Sequence, residues 1–159
     1  MPTTNPDSPA DLLALESQVC FALAVASRRV IGLYRPLLEP MGLTHPQYLV
    51  MLALWQHEPL TLRRLSELLS LEPATLSPLL KRLETIGYLD RTRDPQDERS
   101  LNLTLTARGK QLRRRALRIP PAIMDRLGMD RLQLEALHAQ LTEVIARAGT
   151  ADPSPEEVA

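Results

Sequence analysis

The chain has 159 residues, with 19 basic and 19 acidic side chains, one cysteine and five aromatic residues. This length supports one domain of ordinary size, or one domain plus an oligomerisation arm. A single cysteine excludes an internal disulfide framework, and no apolar run approaches the roughly 20 residues that cross a bilayer. Residues 1–9 lack the basic and apolar segments of a signal peptide, so we expect a cytoplasmic protein without a membrane partner.

The zero net charge hides an uneven distribution. Residues 81–118 contain eleven basic and five acidic residues, a net of +6, whereas residues 1–27 and 119–159 carry −3 and −4. Salt screens charges beyond about 8 Å, so attraction to phosphate depends on the local charge and not on the total. A neutral chain therefore does not exclude a nucleic-acid surface, although a solvated charged face would show the same pattern.

Helical signals fill the first half of the chain. Prolines near both termini predict disordered tails over residues 1–9 and 151–159. Ser8, Pro9 and Asp11 are typical of a helix start, and apolar residues continue to Leu38 in a helix that Pro36 would bend or break.

Three further helices are predicted next. Thr44 and Gln47 form a capping box that opens a helix ending near His57. Thr61 is placed to cap a short helix over Leu62–Leu69. Pro73 begins another helix, which Gly87 ends.

The pattern changes to strands after residue 87. Leu101, Leu103 and Leu105 alternate with polar residues, and residues 88–92 are expected to pair with them in a hairpin. Thr106 then caps a basic helix interrupted by prolines at 120 and 121, and a capping box at residues 130 and 133 opens a last helix that runs to Gly149.

This order predicts a mainly α fold with a small β-hairpin, namely a winged helix-turn-helix over residues 44–106. We expect residues 10–150 to form a single unit, with dimerisation helices over 10–40 and 107–150. Apolar faces on those helices need a cover, and a homodimer is the simplest way to provide it; these residues are Leu12, Leu15, Val19, Leu132, Leu137, Leu141 and Ile145.

The helix that starts at Pro73 has the features of a DNA recognition helix. Its leucines, with Ile86, recur on one face, which leaves small, hydroxyl and basic side chains outside. Such residues suit contacts to base edges and phosphates of double-stranded DNA. The candidate contacts are Thr75, Ser77, Lys81 and Arg82. An ordinary solvent-facing helix is the alternative.

The hairpin tip, residues 91–99, has the composition of a wing. An arginine on such a tip can enter the minor groove, where the negative potential is strong. We expect Asp97 to pair with Arg91 across the hairpin, which leaves Arg99 to reach DNA. A solubilising turn is the alternative.

With these motifs, the sequence resembles the MarR family of dimeric winged-helix regulators. The matching pieces lie at residues 79–84, 87–89, 97–99 and 105–109, within a resemblance that covers about residues 12–147. The resemblance implies a recognition helix in the major groove, with Thr75, Ser77 and Lys81, and a wing arginine, Arg99, in the minor groove. The operator would be pseudo-palindromic, because two recognition helices must meet half-sites about one duplex turn apart.

Taken alone, Cys20 is typical of a small buried hydrophobic residue. A reactive cysteine needs an accessible thiolate that hydrogen-bond donors or a positive charge stabilise. Tyr34 and His45 are the candidate donors.

The surroundings of Cys20 also resemble a narrower group, the organic hydroperoxide sensors of the OhrR type. The matching residues are 20–21, 26–28, 34, 36–38, 42–44, 46–49, 75–76, 78–80 and 97–99. The resemblance implies a Cys20 thiolate that accepts hydrogen bonds from the dimer partner, with Tyr34 as the first donor. His45 stands where the group has a second tyrosine, and Pro73 where it often has serine. His45 either donates in place of the tyrosine, or marks an altered sensitivity or a lost sensing role.

This resemblance implies a repressor that an organic hydroperoxide releases from DNA by oxidising Cys20. The chain has no second cysteine, so we expect a low-molecular-weight thiol to form a mixed disulfide, or overoxidation to follow. The resulting bulk would displace Tyr34 and His45 and move the DNA-binding lobes.

Three alternatives remain at this stage. In the first, a small aromatic or apolar ligand replaces oxidation as the signal; in the second, the chain is a helical interaction module that never binds DNA. A one-cysteine thiol peroxidase is the third, but phosphate-binding and hydrolase motifs are absent, so we expect no enzyme, no catalytic residues and no cofactor. The three histidines are too far apart in sequence to predict a metal site.

Overall fold

The computed structural model describes residues 12–97 and 99–150. The chain forms two compact units, one ending at Ile119 and one beginning at Pro120. The helices are α1 (Val19–Leu38), α2 (His45–His57), α3 (Leu62–Leu69), α4 (Pro73–Ile86), α5 (Ala107–Ala116), α6 (Ile119–Leu127) and α7 (Arg131–Thr150). The strands are β1 (Leu60–Thr61), β2 (Leu89–Arg93) and β3 (Leu101–Leu105). The mainly helical fold with a winged helix-turn-helix is confirmed.

Helix α1 begins later than the sequence predicts and is not broken by its proline. A short 3-10 turn, Leu15–Ser17, precedes it, and Gln18 is extended before Val19. The side-chain amide of Gln18 donates a hydrogen bond to the Leu12 carbonyl. It thereby satisfies an acceptor that would have bonded within the helix if the helix had started earlier. Pro36 lies in the last turn, where it removes only one backbone bond, and the helix continues to Leu38. The predicted cap at Ser8 and both tails lie outside the described residues.

The predicted helix caps are confirmed at four starts and one end. The Thr44 amide donates to Gln47 Oε1 over 3.0 Å, and the hydroxyls of Thr61 and Thr106 accept from the first turns of α3 and α5. Asp130 and Gln133 exchange hydrogen bonds before α7. Gly87 ends α4 with φ at +87°, a conformation that favours glycine.

The sheet contains one strand more than the sequence predicts. Strands β2 and β3 form the expected antiparallel hairpin, in which Arg91 lies opposite Leu103. The two-residue strand β1 pairs with the other edge of β3, with Leu60 opposite Leu103. A strand of two residues is too short to show alternation, so sequence periodicity cannot reveal it.

The core of the first unit lies between α2, the helix-turn-helix pair and the sheet. Its largest fully buried side chains are almost all aliphatic, as expected for a packed interior: Leu38, Val50, Met51, Leu54, Leu65, Leu76, Leu80, Leu83, Leu89 and Leu103. This core fixes α4 and the hairpin, because each contributes buried leucines to it.

Gly109 marks the tightest approach in this unit. A Cβ atom there would lie 2.0 Å from the Tyr88 carbonyl oxygen, so only glycine fits. The Gly109 amide donates to Thr106 Oγ1, and the Thr106 amide donates to the same Tyr88 carbonyl. The start of β2, the end of β3 and the first turn of α5 therefore meet at one point, which we call the wing root (Tyr88, Thr106 and Gly109).

Candidate nucleic-acid interface and sensor site

Helix α4 presents the face that the sequence predicts. Leu76, Leu80 and Leu83 are buried, while the four candidate contacts, Thr75, Ser77, Lys81 and Arg82, are exposed. The Ser77 hydroxyl donates to the Pro73 carbonyl over 3.0 Å, so its lone pairs remain available to a donor. The exposed face therefore carries hydroxyl and basic side chains, interspersed with exposed Ala74 and Pro78.

The structure corrects the predicted partner of Arg91. Its guanidinium pairs with Glu84 of α4, where Arg91 Nε lies 2.9 Å from Glu84 Oε2, and not with Asp97. Both side chains are partly buried. This ion pair joins the wing to the recognition helix, so Arg91 braces the two elements against each other.

Asp97 instead shapes the hairpin tip. Its carboxylate accepts from the Arg99 amide over 3.0 Å, and Asp94 accepts from the Gln96 amide over 2.9 Å. Side-chain oxygens that bind amides two residues ahead stabilise turns. The tip thereby holds Arg99 exposed, and no ion pair links the Arg99 side chain to any residue that the structure describes.

Part of the basic segment, residues 81–118, makes contacts within the chain and is not free to contact DNA. Six of its eleven basic residues lie on α5 or directly after it. Lys110 pairs with Glu58, and Arg115 donates to the Pro40 carbonyl. Arg108 donates to the Ile86 carbonyl and lies over the Tyr88 ring. Several of these cations therefore hold the lobe together. Arg93, which sequence reasoning did not single out, is exposed at the end of β2.

Cys20 is exposed in the first turn of α1 and is not the small buried residue that its sequence context alone suggests. Its apolar neighbours are also uncovered: Val19 is 68% exposed, and Phe21 and Leu23 are each 37% exposed. Exposure of these apolar side chains to water is unfavourable, which favours a second molecule as their cover.

The two candidate donors lie against each other at the other end of α1. The rings of Tyr34 and His45 meet edge to face with centroids 5.0 Å apart. Tyr48, which the sequence reasoning missed, lies on the other side of this contact, with its centroid 5.9 Å from Tyr34. His45 and Tyr48 occupy one side of α2 because residues three apart in a helix are neighbours.

Cys20 cannot meet these donors within one chain. Cys20 and Tyr34 lie fourteen residues apart on one helix, α1. At 1.5 Å per residue, their backbones are about 21 Å apart along the helix axis. A contact between the thiol and the aromatic pair therefore requires a second copy of the chain.

Burial shifts the pKa of each aromatic group at this contact in favour of its neutral form. It raises the pKa of Tyr34 and lowers the pKa of His45 below its ordinary 6.5. Burial also raises the pKa of Tyr48, with a further contribution from nearby Tyr34. Tyr34 is therefore a phenol that can donate a hydrogen bond, and His45 is a neutral imidazole that donates from one nitrogen.

Residues 12–97 and 99–150 contain no group of three or more histidine, cysteine, aspartate or glutamate side chains that could hold a metal ion. Within the same residues, no helix combines the length and apolarity needed to cross a membrane.

Comparison with known proteins supports the same reading of fold and family. Residues 43–101 match the MarR family model. An organic hydroperoxide resistance transcriptional regulator of Bacillus subtilis is 41% identical over 138 residues, which cover 85% of this chain and 94% of that protein. Two solved structures of AbfR from Staphylococcus epidermidis, reduced and overoxidised, are both bound to DNA. Each is 31% identical and covers 89% of this chain and 99% of AbfR, with TM-scores of 0.73 and 0.72. The chain belongs to the MarR family.

Proposed function

We propose that this chain is a cytoplasmic, homodimeric DNA-binding repressor that releases its operator when an organic hydroperoxide oxidises Cys20. The observation that carries the proposal is the separation of the site into two halves. An exposed cysteine lies in an uncovered apolar turn of α1, and the donor Tyr34 lies about 21 Å away along the same helix, against His45 of α2. Two copies arranged about a two-fold axis would bring each Cys20 to the other copy's Tyr34 and His45.

Hydrogen bonds from Tyr34 and His45 would stabilise the thiolate form of Cys20, which is the nucleophile. The thiolate sulfur attacks the peroxide, so an S–O bond forms and the O–O bond breaks. The sulfur is oxidised to sulfenic acid, and the alkoxide that leaves takes a proton to become an alcohol. The exposed apolar side chains of Phe21 and Leu23 favour an organic hydroperoxide over the small polar hydrogen peroxide.

The chain has one cysteine, so the next step needs a separate low-molecular-weight thiol. Its sulfur bonds to Cys20 and water leaves, which gives a mixed disulfide. Overoxidised AbfR is bound to DNA in its solved structure, and this favours the bulkier mixed disulfide as the form that releases the operator here. Because the chain belongs to the MarR family and is similar to transcriptional regulators, we propose a regulator and not an enzyme.

The test is operator binding before and after oxidation. A duplex selected by the reduced protein from a random-sequence library supplies the probe, and tert-butyl hydroperoxide with a small thiol supplies the oxidant. We expect wild type to lose at least about tenfold in affinity, within the usual range of allosteric coupling. Cys20→Ser should bind equally well with and without oxidant. If Cys20→Ser releases DNA as wild type does, the cysteine switch is wrong.

The DNA-facing residues allow a separate test with a matched pair of arginines. Arg99→Ala should weaken binding and lower the slope of log affinity against log salt by about one, because one phosphate or groove contact is lost. Arg91→Ala should lower the thermal stability of the lobe and change the salt slope less, because Arg91 is engaged with Glu84. Equal salt slopes for Arg99→Ala and wild type would exclude Arg99 from the interface.

A further inference from the structure

The Trp55 indole joins the C-terminal end of α2 directly to the wing root, beside the contacts that Glu58 makes with Leu105 and Lys110. The Trp55 Nε1–H group donates to the Gly109 carbonyl over 2.9 Å. Gly109 has no freedom to move towards β2, because its α-carbon already lies against the Tyr88 carbonyl. A shift of Trp55 therefore acts on the point where both wing strands and α5 meet.

The same indole belongs to a continuous line of rings that begins at the candidate donors. Tyr34 contacts His45 and Tyr48, with centroids 5.0 and 5.9 Å apart. Tyr48 in turn meets Trp55 edge to face at 6.5 Å. Two of these contacts are edge to face, and the Tyr34–Tyr48 contact is tilted at 41°; aromatic pairs at these distances are favourable, so each ring limits the orientation of the next. Packed rings of this kind resist compression and transmit displacement.

The line runs along one rigid element. His45, Tyr48 and Trp55 all lie on α2, whose remaining sides are fixed by buried Val50, Met51 and Leu54. Displacement of Tyr34 and His45 at the N-terminal end of α2 would thus reach the wing root at its C-terminal end. The rings lie within the first compact unit, as does Gly109.

We propose that Trp55 is a positioning residue that couples the Tyr34–His45 pair to the wing root, and so links the state of the sensor to the orientation of the DNA-binding wing. This inference rests on the proposed function, because it concerns how oxidation at the donors alters operator binding. In this proposal, the contacts between the rings transmit a displacement of Tyr34 and His45 along α2. The hydrogen bond from the Trp55 indole N–H group then transmits it to Gly109.

The experiment compares the operator affinities of reduced and oxidised protein, and takes their ratio as the coupling. Trp55→Phe keeps a ring but removes the N–H donor. Glu58→Gln is the matched control, because Glu58 joins the same end of α2 to the Leu105 amide and Lys110 without entering the ring line. We expect Trp55→Phe to bind within about threefold of wild type when reduced, while its coupling falls below about threefold. Glu58→Gln should keep the wild-type coupling.

A second pair of variants tests the ring line independently, in case Trp55→Phe fails to fold. Tyr48→Leu interrupts the ring line and should lower the coupling, whereas Tyr48→Phe keeps the ring and should preserve it. The thermal midpoint of each variant separates a loss of stability from a loss of coupling. If wild type releases DNA on oxidation and Trp55→Phe and Tyr48→Leu release it equally, this inference alone is overturned. If wild type itself keeps the operator after Cys20 is oxidised, the proposed function and this inference both fail.

Discussion

Helices α1 and α2 are both rich in apolar residues, but only α2 is covered by its own chain. In α2, Val50, Met51 and Leu54 have no exposed surface. In α1, only Leu38 is buried, and the first turns expose Val19, Phe21 and Leu23. The contrast teaches that apolar content does not by itself decide burial. A helix of the core finds its neighbours within the chain, whereas the start of α1 needs a second molecule.

The same contrast divides the candidate sensor. Cys20 belongs to the uncovered helix start, and His45 belongs to the packed helix, with Tyr34 near the junction between them. Folding of one chain therefore positions the donors, whereas the proposed function requires the association of two chains to position the thiol against them. Under the proposed function, peroxide sensing depends on the dimer and not on the fold of one chain alone.

The largest expected effect lies in the covered helix. Met51→Ala should lower the free energy of unfolding by about 2–5 kcal/mol, because it leaves a cavity at a fully buried position. Leu52→Ala, its 40% exposed neighbour, should cost about 1 kcal/mol or less. Urea denaturation of both variants at one protein concentration measures the difference. If both variants lost the same free energy of unfolding, the buried and exposed faces of α2 would not differ in their contribution to stability.

The uncovered start of α1 predicts a smaller effect, on association. Val19→Asp should weaken self-association at least about tenfold, or roughly 1.4 kcal/mol, because it places a charge in an apolar contact. Arg28→Asp is the control, since nine residues along a helix place it on the opposite side. Sedimentation equilibrium over a range of concentrations measures both. The proposed dimer contact through α1 is wrong if Val19→Asp associates as tightly as Arg28→Asp.

The smallest effect concerns the pH dependence of His45. Its folded pKa is lowered below 6.5, so the unfolded chain takes up a proton first as the pH falls. Stability is unaffected by this group well above pH 6.5 and decreases as the pH falls through that value and below it. His45→Tyr removes this titration, so wild type should lose more stability than the variant between about pH 7.5 and pH 5.5. Thermal midpoints at the two pH values provide the measurement, and a larger loss in His45→Tyr would reverse the sign.

Much of the fold was predictable because its signals are local. The caps at Thr44, Thr61 and Thr106 bind amides only a few residues away, and Gly87 satisfies a backbone requirement of its own position. Such interactions are encoded in short segments, so reading the segment is sufficient. The exposed face of α4 followed in the same way from helical spacing.

The candidate site was only partly predictable, because its geometry depends on long-range contacts. Arg91 pairs with Glu84 and not with Asp97, because the wing packs on α4 and brings the Glu84 carboxylate within hydrogen-bond distance. The roles proposed for Tyr48 and Trp55 carried no sequence signal, because aromatic residues in an apolar helix look like core. The predicted contacts to DNA and to the second copy stay predictions.

By itself, the sequence determined the helices, the hairpin, the polar face of α4 and the presence of a single thiol, because each depends on residue type and short-range spacing. Only the tertiary structure decided that Cys20 is exposed, that Tyr34, His45 and Tyr48 meet, and that Trp55 reaches Gly109. Those facts depend on which elements pack together in three dimensions. Packing is a property of the whole core, and no single segment contains it.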